Sequence, residues 1–61
     1  MERVFKDKWS KVVIKTSPRK AGYIASIYLF DGTYAGCKHI QASELEDYIK
    51  QVLSDYEEIK Q

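Results

Sequence analysis

The sequence predicts an α+β fold: a three-stranded antiparallel β-meander followed by one C-terminal α-helix packed on one of its faces. Three observations carry this expectation. Apolar residues recur with period two in the first two-thirds of the chain and with helical spacing in the last third. Asp31-Gly32 stands between two strand-like runs, a strong local hairpin signal. At 61 residues the chain has room for one small domain, residues 1–61, with one shared core.

Each element has its own local reason. Residues 1–7 either extend the first strand or lie across an end of the core. The first strand is expected over about residues 9–16, where Ser10, Val12, Ile14 and Thr16 alternate with Trp9, Lys11, Val13 and Lys15. Residues 17–22 read as a turn, because Pro18 lacks a ladder donor and Gly22 permits unusual dihedrals. The second strand, about 23–30, is rich in β-branched and aromatic residues. The third runs from about 33 to 40. The helix is expected over about 44–60, with Leu45, Tyr48, Ile49, Val52, Leu53, Tyr56 and Ile59 forming its apolar stripe. Ser43 followed by Glu46 has the spacing of a capping box.

The register of the Asp31-Gly32 hairpin decides which side chains share a face. A two-residue loop pairs Phe30 with Thr33 and places Ile27 and Leu29 with Tyr34, Gly36, Lys38 and Ile40. A three-residue loop with Gly32 at a bulge pairs Leu29 with Thr33. We favour the second, which gives the helix a floor of Ala25, Ile27, Leu29, Ala35 and Cys37. The opposite face then carries Tyr28, Tyr34 and Lys38, joined by Trp9, Lys11 and Lys15 from the first strand.

Several chemistries are disfavoured by residue type and spacing. A Walker-type phosphate loop needs glycines five apart followed by Lys and a hydroxyl residue, whereas Gly32 and Gly36 are four apart with Cys37 before Lys38. One cysteine and one histidine, Cys37 and His39, complete neither a thiol triad nor a zinc site within the chain. A chain this short seldom encloses a cleft in which paired carboxylates converge. The expectation is therefore a non-enzymatic protein with no cofactor, no metal and no small-molecule substrate.

The charge is two-sided. Residues 1–42 carry eight Lys or Arg against three acids, +5, and residues 43–61 carry two against six, −4, for a net +1. The N-terminus lacks the apolar segment of a secretory signal, no apolar run reaches bilayer length, and a lone cysteine suits a reducing compartment. A cytoplasmic location without membrane association is thus expected. Interleaved aromatics and lysines on an open sheet face suit two partners. The first is another protein, or a second copy in a homodimer, bound by a small interaction or inhibitor module of the sort encoded by phages and mobile elements. The alternative is nucleic acid, with bases on the rings and phosphates on the cations. Trp9, Tyr28 and Tyr34 are the expected anchors, and Lys11, Lys15 and Lys38 the expected rim.

At the level of architecture alone, three strands followed by a packing helix resembles certain sheet-reading DNA-binding domains, such as those of some transposon integrases. That resemblance implies a basic sheet face entering the major groove, which the basic first two-thirds would suit. The near-neutral total charge and the acidic helix depart from that pattern, and no functional residue is carried over from it.

Overall fold

The computed structural model describes residues 2–59 and shows an α+β fold with more sheet than expected. Five antiparallel strands, β1 (Arg3–Asp7), β2 (Val13–Arg19), β3 (Gly22–Tyr28), β4 (Tyr34–Gln41) and β5 (Tyr56–Ile59), are ordered β4-β3-β2-β1-β5. A 3-10 turn (Ala42–Glu44) leads into α1 (Leu45–Val52), which connects the two sheet edges. Among the described residues no helix is long and apolar enough to cross a membrane.

The core lies between α1 and one sheet face. Phe5, Ile14, Ala25 and Ile40 from four neighbouring strands meet Leu45 and Leu53, with Tyr23, Ile27, Tyr48, Ile49 and Tyr56 packed around them. Thr16 is fully buried beside Ala25, and its hydroxyl donates to the Arg3 carbonyl at 3.4 Å, so its polar atom has a partner.

Several expectations need correction. The first strand is not residues 9–16 but 13–19. Trp9 and Lys11 lie in the β1–β2 loop, where Lys11 has φ 64°. Asp7 organises that loop, accepting from the Trp9 amide (3.1 Å) and the Ser10 hydroxyl (2.6 Å), and the Lys11 N–H donates to the Asp7 carbonyl. Of the expected turn 17–22, residues 17–19 continue β2 and Gly22 opens β3, leaving only Lys20 and Ala21 to turn. Among the described residues β1 pairs no further than Thr16, so Pro18 lies beyond that described ladder, where a missing donor is tolerated.

The helix stops at Val52 instead of running to residue 60. Leu53 still donates to the Ile49 carbonyl, then Ser54-Asp55 turns and Tyr56–Ile59 pairs with β1. Lys60, the last expected helical position, lies outside the described residues. Tyr56 reaches the core from a strand as well as it would from a helix, which is why the stripe misleads. The chain now reads β-β-β-β-α-β: the expected meander and helix persist as β2-β3-β4-α1, but β1 and β5 extend them to a five-stranded sheet, which departs from the three-strand arrangement behind the integrase resemblance. The expected Ser43 capping box does not form. Ser43 lies inside the 3-10 turn, neither helix start has a side-chain cap, and Glu46 turns towards β1.

That contact belongs to a clamp built on Arg3. Its guanidinium makes two 2.9 Å hydrogen bonds to Glu58 on β5 and one of 3.3 Å to Glu46 on α1. It also lies 5.4 Å from the Phe5 ring centre. One side chain thus ties β1 to its strand neighbour and to the helix. The Glu58 bonds push the Arg3 pKa further above its already high value, outweighing the opposing effect of desolvation.

The hairpin register is part right and part wrong. Leu29 donates to the Thr33 carbonyl at 2.8 Å and Gly32 (φ 88°) donates to the Leu29 carbonyl, so the loop is the three-residue form and Tyr28 pairs Tyr34. One residue later the ladder slips: Ile27 pairs Gly36, leaving Ala35 as an extra residue in a bulge with Gly36 at φ 129°. From there on, parity reverses. Lys38 pairs Ala25 on the helix face, whereas Cys37 pairs Ser26 on the open face. Cys37 and Ala35 are exposed and Leu29 lies beyond the strand, so none of the three forms the expected floor.

Candidate functional site

The open face follows from the register. Tyr28 and Tyr34 sit opposite each other with ring centres 5.6 Å apart, and Lys15 places its ammonium 5.1 Å from the Tyr28 ring centre. Val13 pairs Tyr28, and Cys37 follows Tyr34 on the same face after the bulge. The neighbouring Cys37 thiol first, then burial and the nearby Tyr28 group, hold the Tyr34 phenol above its ordinary pKa. Three of the six expected contact residues, Lys15, Tyr28 and Tyr34, are therefore brought together.

Trp9 and Lys11 reach the same end of the sheet by another route. The β1–β2 and β3–β4 loops both leave the end where β2 begins and β3 finishes. With strands about 4.8 Å apart, their centres are about 10 Å apart. Trp9 is 86 % exposed in the first loop, Phe30 is 76 % exposed in the second, and Tyr34 beside it is 56 % exposed. Lys38 is not part of this group. It lies on the helix face with its ammonium 5.5 Å from the Tyr48 ring centre.

Both aromatic-bearing loops are locked by an aspartate. Asp7 holds the first as described, and Ser10 Oγ also accepts from the Val12 amide at 3.3 Å. In the second loop Asp31 Oδ1 accepts from the Thr33 amide at 3.0 Å. The rings therefore project from backbones that are already ordered, which lowers the entropy lost when a partner covers them. Phe30 was missed as a contact residue although the signal was present: a three-residue loop 30–32 removes it from strand pairing. Exposed acids, Asp31 and Glu57, share this end with Lys11 and Lys15, so the surface is mixed in charge.

The loop lock has a titration consequence. The Ser10 hydroxyl, then the Trp9 amide, hold the Asp7 carboxyl below its ordinary value of about 3.9. A depressed carboxyl contributes above its unfolded-state value, and that contribution is lost as pH falls through the folded-state value. An NMR titration should give Asp7 a midpoint below about 3.9, and Ser10→Ala should raise it. An unmoved midpoint would show that the hydroxyl does not hold this loop.

Among the described residues no group of three His, Cys, Asp or Glu is placed to hold a metal ion. No protein-family model matches the chain, and no curated protein and no solved structure matches it either.

Proposed function

We propose that this protein is a non-enzymatic interaction module, of the size and kind of a small inhibitor. It docks another protein, or a second copy of itself, through the aromatic end of its open sheet face. The observation that carries this reading is the pair of adjacent aspartate-locked hairpins, each presenting a large aromatic residue to solvent. Isolated exposed apolar residues need no explanation, but Trp9, Leu29, Phe30 and Tyr34 gathered at one end make a patch that does. Trp9, Phe30 and Tyr34 are the anchors, Tyr28 supports Tyr34 from across the hairpin, and Lys15 and Lys11 sit at the rim.

Nucleic acid is the second reading, favoured by the lysine-over-tyrosine pair of Lys15 and Tyr28. The loss of Lys38 from the face and the presence of Asp31 and Glu57 weaken it.

Capture from host lysate, with and without nuclease, compares the readings. Trp9→Ala and Tyr34→Ala should each weaken protein capture or self-association by about tenfold or more while leaving the fold intact. Nuclease should change nothing. Capture that disappears with nuclease, or DNA retention at low salt that Lys15→Ala abolishes, would replace this reading with the second.

A further inference from the structure

We propose that the outer edge of β4, with the cleft between β4 and α1, is a second binding site, for an extended peptide carrying a Lys or Arg two residues before a branched apolar residue. Among the described residues β4 is the last strand on its side of the sheet, so alternate N–H and C=O groups along it point to no described neighbouring strand. The Ala35-Gly36 bulge disrupts only the start of this edge, and from Cys37 to Gln41 the ladder is regular. That stretch is a template for strand addition.

Beside it lies a cleft of about 310 Å³, walled by Lys38, His39 and Ile40 of β4 and by Asp47, Tyr48 and Val52 of α1. The volume lies at the small end of ligand sites, about 300–1,000 Å³, and suits side chains from one face of a short strand. His39 belongs by register to the open face, so it meets the cleft at the outer margin of the strand, where an added backbone would run.

The chemistry of the walls selects the occupant. Val52 is apolar and 52 % exposed, although it belongs to the helix that covers the core. Glu44 and Asp47 give the other end of the cleft negative charge, whereas Lys38 already faces the Tyr48 ring. A strand added antiparallel to β4, the better pairing, runs with α1 and meets Asp47 before Val52. Five helical residues rise about 7.5 Å, and two strand residues span about 6.8 Å. Side chains two apart on the added strand therefore match the axial separation of Asp47 and Val52, which both line the cleft, basic first and apolar second. This surface is separate from the aromatic end, so either proposal can fail alone.

The test is selection of a phage-displayed random dodecapeptide library on the whole protein, followed by anisotropy measurements on the enriched peptides as synthetic probes. The expected motif is Lys or Arg, any residue, then Val, Ile or Leu. Binding should fall about tenfold or more with Val52→Glu and with Asp47→Lys, and be unchanged by Tyr34→Ala. N-methylation of alternate peptide nitrogens in one register should abolish it. Amide resonances of residues 37–41 should shift. Thermal unfolding of each variant confirms that it is folded, and the N-methyl series reports on strand addition with the protein unaltered. Failure to enrich the motif, indifference to Val52→Glu, or shifts centred on residues 9, 30 and 34 would each overturn the proposal. So would concentration-dependent dimerisation through residues 37–41 without peptide, which would assign the edge to a second copy.

Discussion

Phe5→Ala is expected to lower the thermal midpoint by about 12 °C or more, or to prevent folding. Phe5 is 2 % exposed and sits at the centre of the core, paired with Ile14 on β2 and Glu58 on β5. Truncating a buried phenylalanine costs about 3–5 kcal/mol, through lost transfer energy and the cavity left behind. A chain of this size holds roughly 3–9 kcal/mol in total, so one ring is a large share of it. Each kcal/mol shifts the midpoint of such a domain by about 4–8 °C. Phe30→Ala is the internal control. The residue type is the same but the ring is in solvent, so stability should move by no more than about 0.5 kcal/mol. Equal effects of the two substitutions would mean that β1 does not contribute its ring to the core.

Gly22→Ala should be the second severe change. Gly22 has φ 145°, where side-chain-bearing residues are strained, and it opens β3 directly beneath the end of β4. An added Cβ would collide with the Ile40 carbonyl oxygen and press on the Ala42 nitrogen and the Gln41 Cα, both at 3.1 Å. All three are backbone atoms, so relief requires moving the strand end and the 3-10 turn that delivers Leu45 to the core. Backbone strain of about 1–3 kcal/mol and overpacking of about 1–3 kcal/mol add to a cost of about 2–6 kcal/mol. Gly36→Ala separates the two contributions. Its φ of 129° carries strain, but among the described residues nothing lies within 4 Å of the added atom, so only the first contribution applies. Chemical denaturation should rank Gly22→Ala well above Gly36→Ala. Equal losses would deny the close approach of β3 to the turn.

Much of the central fold was legible in the residues. The Asp31-Gly32 hairpin with its three-residue loop, the sheet-forming middle and a helix beginning near residue 45 follow from local pattern. What was hidden depended on non-local pairing. Val4 and Phe5 are both apolar neighbours in β1, so no alternation marks that strand. Its partners, β2 and β5, lie 13 and 55 residues away at Arg3↔Thr16 and Val4↔Ile59. β5 was hidden because Tyr56 and Ile59, three apart, fit a helical stripe, whereas in the strand they lie on opposite faces. The Ala35-Gly36 bulge exchanged Cys37 and Lys38 between faces, and a single glycine in a strand-like run does not announce such a slip.

The surface was legible to the same degree. Lys15, Tyr28 and Tyr34 share a face as expected, because the loop sets their register before the bulge intervenes. Trp9 and Lys11 lie at the same end but on a loop, since Asp7 and Ser10 close a turn that alternation alone conceals. Lys38 is lost to the helix face. Phe30 and Leu29 are gained because the three-residue loop ends the strand before them.

The central claim, that the aromatic hairpin end is the docking surface, is tested most directly by site-specific photo-cross-linking. A benzophenone side chain placed at position 34, and separately at position 50 on the exposed side of α1, would be irradiated in nuclease-treated host lysate. A discrete protein adduct, or a cross-linked dimer, is expected from position 34 and none from position 50, with the adduct lost on Trp9→Ala. Equal labelling from both positions, or an adduct from position 50 alone, would contradict it.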